Sequence, residues 1–391
     1  MKVNQVYAIV NSLTSQLFGK SAVAVTDTRG LRALGEQVST AAGYDKFLGI
    51  LVDRIGKTVV RTLDSQVDIP GLLRSDMEYG AMLQKITVNL PEAITNAAWD
   101  IADPNFTPTN FDIHLPSATV TYFAGIATWK IQQTVPEDPM LNSAFNSAEA
   151  MGAFITGIMD SMAKAIIEQI NAVSYASIAS FAVEKADRTS STVINLLTLY
   201  NSTFTETLTA ATALENKDFL RWANREINRY ISYLDTPSVL YNEGDNAGND
   251  VLRRTTRDNM HVWLHTDFVQ GVKTWLQSDT FNRDLVELPY YNEIKMWQGS
   301  SNTLPTTANV TSIHALAQNG DDVKMDYVIG MLVDRQAIAI GKYQQQSATQ
   351  PNPIDGYVNY AIKCNIGHMV DLSENGIIFT LAAPTVTPAS A

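Results

Sequence analysis

The chain has 391 residues and a formal net charge of −12, with 17% charged and 45% hydrophobic residues. Its lysines and arginines are scattered singly, so the sequence shows no basic patch that would bind nucleic acid phosphates. The single cysteine, Cys364, excludes an intrachain disulfide and favours a reducing compartment.

This length allows two or three domains, or one elaborate domain, with ample material for a hydrophobic core. A charge content below the usual quarter indicates a surface that is largely covered by other chains or, alternatively, a larger core. The first five residues, MKVNQ, lack the features of a signal peptide. We therefore expect a protein that is made in the cytoplasm.

The N-terminal part is predicted to combine helices with an extended arm. Apolar residues recur at helical spacing in residues 3–17, whereas residues 21–40 show no periodicity and predict the arm. Helical spacing returns in residues 43–56, and residues 57–63 favour a strand.

A long β-hairpin is predicted next. Residues 82–90 and residues 111–123 alternate as two strands, and the polar, proline-containing residues 91–110 connect them. Because two strands alone are only marginally stable in water, we expect this hairpin to lie against something else, for example a neighbouring subunit. A third strand at residues 126–135 leads out of the hairpin.

One long helix at residues 147–185 is the feature around which the chain is organised. Ser147, or Asn142 one turn earlier, can cap its amino end. At about 1.5 Å per residue this helix is on the order of 58 Å long, which is more than a compact enzyme core needs. Its charged residues include Asp160, Lys164 and Glu168. Each would cost about 2.5–3.5 kcal/mol in lipid, which disfavours a membrane span.

The second half of the chain predicts a mixture of helices and strands. A helix at residues 218–234 begins with Asp218 as its cap, and an exposed loop follows at residues 242–250. Residues 260–265 favour a strand, followed by a helix around residues 269–276. Later strands are predicted at residues 293–297, 310–315, 326–340, 357–366 and 376–381, and a disordered tail at residues 382–391.

The search for catalytic and binding motifs yields no site. The sequence contains no phosphate-cradling Gly-rich motif, and no nucleophile elbow. His261 and His265 have the spacing of metal ligands on a helix, but Val262 stands where a metalloprotease needs Glu, and the segment reads as a strand. We therefore interpret this pair, with Trp263, as one structural or interface face.

Three further features favour packing over chemistry. Cys364 with His368 could suggest a thiol–imidazole pair, but a lone cysteine in an apolar strand is usually a packed hydrophobe. The aromatic residues Tyr290, Tyr291 and Trp297 have no basic cluster around them, so they predict core or interface rather than a base-stacking platform. Carboxylates are plentiful, but no spacing singles out a glycosidase-type pair. We predict no catalytic, cofactor-binding or metal-binding residue.

The order of these elements resembles that of the major capsid protein of tailed bacteriophages, of the podophage type. This fold is shared with herpesvirus capsid floors and bacterial encapsulin shells. Residues 47–63 (FLGILVDRIGKTVVRTL) are similar to the segment that enters the extended loop of such proteins, and residues 324–341 (KMDYVIGMLVDRQAIAIG) are similar to one of their returning strands.

The resemblance implies an α+β fold with an N-terminal arm, an extended β-hairpin loop, a long spine helix in a peripheral domain and an α/β axial domain. The implied units are residues 1–69 (arm and helix), 70–135 (extended loop), 136–191 (peripheral domain with the spine helix), 192–304 (axial domain), 305–381 (returning strands) and 382–391 (flexible tail). Some relatives cross-link a loop lysine to an asparagine of a neighbour. Lys85 lies in the predicted loop, but no motif identifies a partner asparagine, so this chemistry is not expected.

The resemblance also implies a function without enzymatic chemistry. The chain would assemble through pentamers and hexamers into an icosahedral or prolate head shell that encloses the double-stranded DNA of a tailed phage. Its partners would be copies of itself and also scaffolding, portal and decoration proteins, with DNA near it only non-specifically and no membrane. Assembly would take place in the host cytoplasm, and the protein would end in the virion. The alternatives are an encapsulin-like compartment shell and a carboxylate-dependent hydrolase.

Overall fold

The computed structural model describes most of the chain. The described residues are 3–18, 25–40, 69, 71–74, 83–88, 118–123, 125–136, 146–188, 190–244, 250–277, 290–297, 311–352 and 357–389. The predicted helix at residues 43–56, the strand at 57–63 and the link at 91–110 lie outside them, as does the resembling stretch 47–63.

Helices and strands are both abundant in the described chain. The helices are α1 (Val3–Phe18), α2 (Thr28–Thr40), α3 (Ala148–Arg188), α4 (Leu196–Phe204), α5 (Ala210–Ala213), α6 (Lys217–Leu234) and α7 (Thr266–Gly271), which continues as one π-helical segment, Val272–Gln277. Short 3₁₀ turns lie at Ser190–Thr192 and Arg257–Asn259.

The strands within the described ranges form four sheets. They are β1 (Leu73–Arg74), β2 (Leu83–Val88), β3 (Ala118–Phe123), β4 (Gly125–Pro136), β5 (Val193–Asn195), β6 (Met260–His265), β7 (Asn292–Ile294), β8 (Ile313–Leu316), β9 (Asp322–Met325), β10 (Val328–Asp334), β11 (Ile338–Asn352), β12 (Tyr357–Val370), β13 (Gly376–Thr380) and β14 (Thr385–Thr387). The sheet orders are β1-β11-β12-β4, β5-β13-β10-β6-β7, β14-β9-β8 and the hairpin β2-β3. This content agrees with the predicted α+β class.

The five-stranded sheet is covered on both faces. Along β10, Met331 and Val333 belong to a core that includes α3, whereas Leu332 belongs to a second core that includes α6. Because side chains alternate between the two faces of a strand, a strand covered on both sides is largely apolar. All seven residues of β10 are buried, and the first six are apolar. This sheet therefore joins the long helix to the second half of the chain.

The long helix is confirmed with nearly the predicted bounds. The Ser147 hydroxyl accepts a hydrogen bond from the Ala150 backbone N–H at 3.1 Å, so Ser147 is the cap. The helix α3 has 41 residues, and its last turn carries Lys185 and Arg188, where cations interact favourably with the helix dipole.

Within the described residues, the segment Lys164–Arg188 is the one stretch whose length and composition would suffice to cross a membrane. In this protein 56% of its most apolar window is buried, as in the core helix of a soluble protein, so the segment is weak support for a membrane span.

The predicted extended arm at residues 21–40 is wrong for most of its length, because helix α2 forms there. The Asp27 side chain accepts a hydrogen bond from the Gly30 N–H at 2.7 Å and so caps the helix. Its apolar residues Leu31, Leu34 and Val38 are fully buried at helical spacing. This pattern has only three members and is interrupted by glycines, which explains why the sequence did not reveal it.

The helix at residues 218–234 is confirmed as α6, but its predicted cap is wrong. The Asn216 side chain, not that of Asp218, accepts the Phe219 N–H at 3.0 Å. The exposed loop predicted at residues 242–250 is also wrong at its start. Asn242 is buried, and its side-chain amide donates to the carbonyl oxygen of Val251 at 3.1 Å.

Two predictions near the C-terminus are also corrected. The single strand at residues 326–340 is two strands, β10 and β11, because the Asp334 carboxylate accepts the Gln336 N–H at 2.8 Å and the chain turns there. The tail predicted to be disordered contains β14, which pairs antiparallel with β9. Beyond this strand, the Ala389 N–H donates to Asp321 at 2.8 Å.

The other predicted elements have their counterparts in the described chain. The strands at residues 260–265, 357–366 and 376–381 are confirmed, and those at 293–297 and 310–315 are present with shifted bounds. The helix around residues 269–276 begins earlier, at Thr266, and becomes π-helical.

Candidate assembly surfaces

The predicted hairpin is confirmed as the antiparallel pair β2 and β3. Ile86 is paired with Val120 in this ladder, and Gln84 is paired with Tyr122. Since directly paired residues share a face and residues two apart in a strand share a face, Ile86, Val120 and Tyr122 lie on one side of the hairpin. Lys85 is one residue out of step and lies on the opposite side.

The first face of the hairpin is apolar and exposed. Ile86 is 62% exposed, Val120 42% and Tyr122 60%. Single exposed apolar residues are ordinary, but three adjacent ones on one face of a two-stranded sheet form a patch of the kind that marks contact surfaces. We call these three residues the hairpin patch.

The opposite face of the hairpin is anchored to the chain by a buried group of charges. The Lys85 ammonium forms ion pairs with Asp371 and Glu374, whose side chains are each 6% exposed. Arg253 also approaches Glu374, at 3.5 Å, and donates to the Ser373 carbonyl oxygen at 3.2 Å. We call Lys85, Asp371, Glu374 and Arg253 the anchor cluster. It holds the hairpin on the turn between β12 and β13.

A second lysine lies close to the anchor cluster. Lys185, at the end of α3, is fully buried and donates to the Leu372 carbonyl oxygen at 2.9 Å. Burial lowers the pKa of Lys185 to about 8, although Glu243, Asp371 and Glu374 act in the opposite direction. Burial also raises the pKa of Glu374, and Lys85 opposes this shift. The long helix, the hairpin and the C-terminal strands therefore meet at one set of buried charges.

The histidine pair considered as metal ligands lies in the core. His261 and Trp263 stack on the same side of β6, with ring centroids 5.3 Å apart, as the strand interpretation predicts. His265 accepts the Asp267 N–H at 3.2 Å through Nδ1 and caps helix α7. Among the described residues, no group of three or more His, Cys, Asp and Glu side chains could hold a metal ion.

The other residues considered for chemistry are dispersed. Cys364 and His368 both belong to β12, and four residues along an extended strand place their backbones about 13 Å apart. Trp297 is fully buried and donates to the Val328 carbonyl oxygen at 2.7 Å, whereas Tyr290 is 82% exposed. The aromatic group is thus divided between core and surface.

Sequence reasoning named neither the hairpin patch nor the anchor cluster. The alternation that predicted the two strands also places Ile86, Val120 and Tyr122 on one face, so the patch could have been found. The partners of Lys85 lie 286 and 289 residues away in the chain, and no local pattern indicates them.

Comparisons with known proteins identify the family. A family model for the Phi29-like phage major capsid protein matches residues 6–380. A search of curated proteins by sequence found no match.

Solved structures are similar in fold. A chain in a structure of native bacteriophage P68, which describes its head fiber and an inner core protein, is 11% identical with a TM-score of 0.51, over 80% of this chain and 83% of the other. A chain in the capsid structure of Staphylococcus phage Andhra gives the same values. These likenesses concern the fold, and the family model covers nearly the whole sequence. The chain therefore belongs to the Phi29-like phage major capsid protein family and forms part of the phage head shell.

Proposed function

We propose that the chain assembles through pentamers and hexamers into a closed icosahedral or prolate shell around double-stranded DNA. The observation that carries this proposal is the hairpin patch, an apolar surface on a hairpin whose other face is anchored by buried ion pairs. An exposed apolar face is stabilised when another subunit covers it, and a hairpin fixed on its own chain offers that face in a defined orientation.

In this proposal the divisions expected from the resemblance take on roles in the shell. Residues 70–135 lie over an adjacent subunit, and residues 136–191 provide the peripheral domain with its spine helix. Residues 192–304 gather around the five- and six-fold axes, and residues 305–381 return to both domains. Residues 1–69 provide the N-terminal arm with its helix, and residues 382–391 form the C-terminal tail.

The role we propose is structural and not catalytic. The family match favours it over the carboxylate-dependent hydrolase and the encapsulin-like compartment. Scaffolding, portal and decoration proteins are the further partners that we propose, with assembly in the cytoplasm of the host and DNA held near the shell without specific contacts.

Size-exclusion chromatography with light scattering, followed by negative-stain microscopy of the heaviest fraction, tests the proposal. We expect closed shells or rings of five or six copies. A chain that stays a monodisperse monomer at every concentration, with and without coexpressed neighbouring phage genes, would contradict it.

A further inference from the structure

Helix α6 carries a row of positive charges on its exposed side. Lys217, Arg221, Arg225 and Arg229 are each four residues apart, and all four are exposed. Residues four apart lie on one face of a helix, about 6 Å from each other along its axis, so the row is about 18 Å long. The lysines and arginines therefore do cluster at this place, contrary to the prediction of scattered charge. We call Arg221, Arg225 and Arg229 the basic row.

The described residues compensate only part of the charge of the basic row. Arg225 and Arg229 both contact Glu226, at 3.1 and 3.0 Å, and this carboxylate side chain is 2% exposed. Arg221 makes no ion pair within the described ranges. Three positive charges against one buried carboxylate leave the face positive in a chain that is otherwise strongly acidic.

An acidic group lies near the amino end of α6. Glu206, Glu215 and Asp218 are exposed around the amino end of α6. Burial raises the pKa of Tyr200, and the charges of Asp218 and Glu206 raise it further. Asp218 and Glu206 therefore both lie near the Tyr200 hydroxyl. We call these three carboxylates the acidic end. Lys217 lies among these carboxylates, so the described amino end carries three carboxylates against one ammonium, whereas the basic row carries three guanidinium groups against the Glu226 carboxylate.

Exposed aromatic side chains accompany both charge groups. Phe204, which is 49% exposed, precedes Glu206 by two residues and packs on Tyr200 with ring centroids 4.9 Å apart. Tyr233 is 42% exposed, and Cζ of the Arg229 guanidinium lies over its ring, 5.5 Å from the ring centroid. Aromatic side chains and arginine are enriched at protein contact surfaces.

We propose that the basic row of one copy contacts the acidic end of a second copy of this chain, so that copies follow one another head to tail around a ring. Two different patches of opposite charge on one subunit give a heterologous contact, and such a contact closes into a ring when its rotation allows. This inference rests on the ring-shaped assemblies of the proposed function, and it adds the residues that set the order of subunits within the ring.

A second copy is a better occupant for the basic row than duplex DNA. The net charge of −12 opposes the approach of DNA and of a second copy alike, so it does not separate the two. A second copy, however, offers in its acidic end three exposed carboxylates, which match the three guanidinium groups in number and are opposite in sign.

Charge reversal on both sides of the contact tests this inference. Arg221→Glu and Glu206→Lys are each expected to raise the concentration for half-maximal assembly by about tenfold, because like charges then meet across the interface. The double variant Arg221→Glu/Glu206→Lys restores opposite charges in every contact and is expected to recover assembly. Arg257→Glu, at another exposed arginine, is the matched control and should assemble as the wild type does.

Several outcomes distinguish the explanations. The melting temperature of each unassembled variant should match that of the wild type. A lower melting temperature would show that a variant fails to assemble because it is less stably folded. A wild type that forms rings while all variants assemble equally would overturn this inference and leave the proposed function in place. A wild type that forms no assembly would contradict both.

A DNA-binding measurement covers the other occupant. Fluorescence anisotropy with a labelled 20-base-pair duplex should show no binding that depends on Arg221. Binding that Arg221→Glu abolishes and that Glu206→Lys does not restore would overturn the inference in favour of a phosphate-binding face.

Discussion

Ile86 and Val120 face each other across the hairpin, and both side chains are largely exposed, at 62% and 42%. A cross-strand apolar pair normally contributes to stability by packing against a third layer. Here the anchor cluster holds the opposite face of the hairpin through Lys85. The described chain leaves the Ile86 and Val120 side chains largely uncovered.

The double variant Ile86→Thr/Val120→Thr should weaken assembly and leave the fold intact. Threonine keeps the β-branched shape, and because both sites are exposed we expect less than about 0.5 kcal/mol of change in unfolding free energy per site. Loss of two apolar contacts from an interface should cost about 1–2 kcal/mol of binding free energy per copy, which light scattering against concentration would measure.

Val386→Thr is the matched control for this experiment, because Val386 is a strand residue of similar exposure, 38%, on another sheet. If both variants assemble alike, the hairpin patch has no special part in assembly.

Lys85→Met should loosen the hairpin from the body. The variant leaves Asp371 and Glu374 buried without their nearest cation, and removing one member of a buried ion pair costs about 3–5 kcal/mol. Arg253 and Lys185 remain nearby, so we expect the lower part of that range. Hydrogen exchange should accelerate in β2 and β3 before the rest of the chain.

Lys324→Met serves as its control. Lys324 pairs with Asp326 at 2.9 Å, but the two side chains are 48% and 35% exposed. An exposed pair contributes about 0–1 kcal/mol, so this variant should be nearly neutral. Equal loss of stability in both variants would show that the anchor cluster is no stronger than a surface pair.

Local signals explain which parts of the fold could be predicted. The long helix was found because its cap at Ser147 and its apolar stripe lie within one continuous stretch. Helix α2 is hard to predict because glycines interrupt a pattern of only three apolar residues. Strand β14 is hard to predict because its proline- and alanine-rich surroundings resemble a disordered tail. In each case the deciding packing partner belongs to another part of the chain.

The contact surfaces show a different limit. The partners of Lys85 are set by tertiary structure alone, so the anchor cluster could not be seen in the sequence. The basic row could have been seen, since Arg221, Arg225 and Arg229 recur every four residues on a predicted helix. Along the chain these arginines stand singly, and only their placement around the helix brings them together.

Gly376→Ala should destabilise the contact between β13 and the long helix. A Cβ atom at this position would lie 2.5 Å from Cζ of Phe181, a fully buried residue of α3. Overpacking of this kind costs about 1–3 kcal/mol, which chemical denaturation would measure.

Gly157→Ala, in the long helix α3 itself, is the opposite case. Nothing lies within 4 Å of a Cβ atom at Gly157, and alanine is preferred over glycine inside a helix by about 0.5–1 kcal/mol. This variant should therefore be more stable than the wild type. Equal effects of the two alanine substitutions would contradict the close packing of β13 on Phe181.

Lys185 should make the protein more stable as the pH rises above 8. Its pKa is about 8 in the folded protein and 10.5 in the unfolded chain, so between these values the unfolded chain holds the additional proton. The unfolding free energy then increases with pH, by about 2 kcal/mol between pH 8 and 10, and this contribution is lost as the pH falls through 8.

Lys185→Met removes the titrating group. The raised pKa values of Tyr200, Tyr230 and Tyr241 act in the opposite direction above pH 10 and are present in both proteins, so they cancel in the difference. Urea unfolding from pH 7 to 10 should give a rising difference between wild type and variant, and parallel curves would show that Lys185 titrates normally in the folded chain.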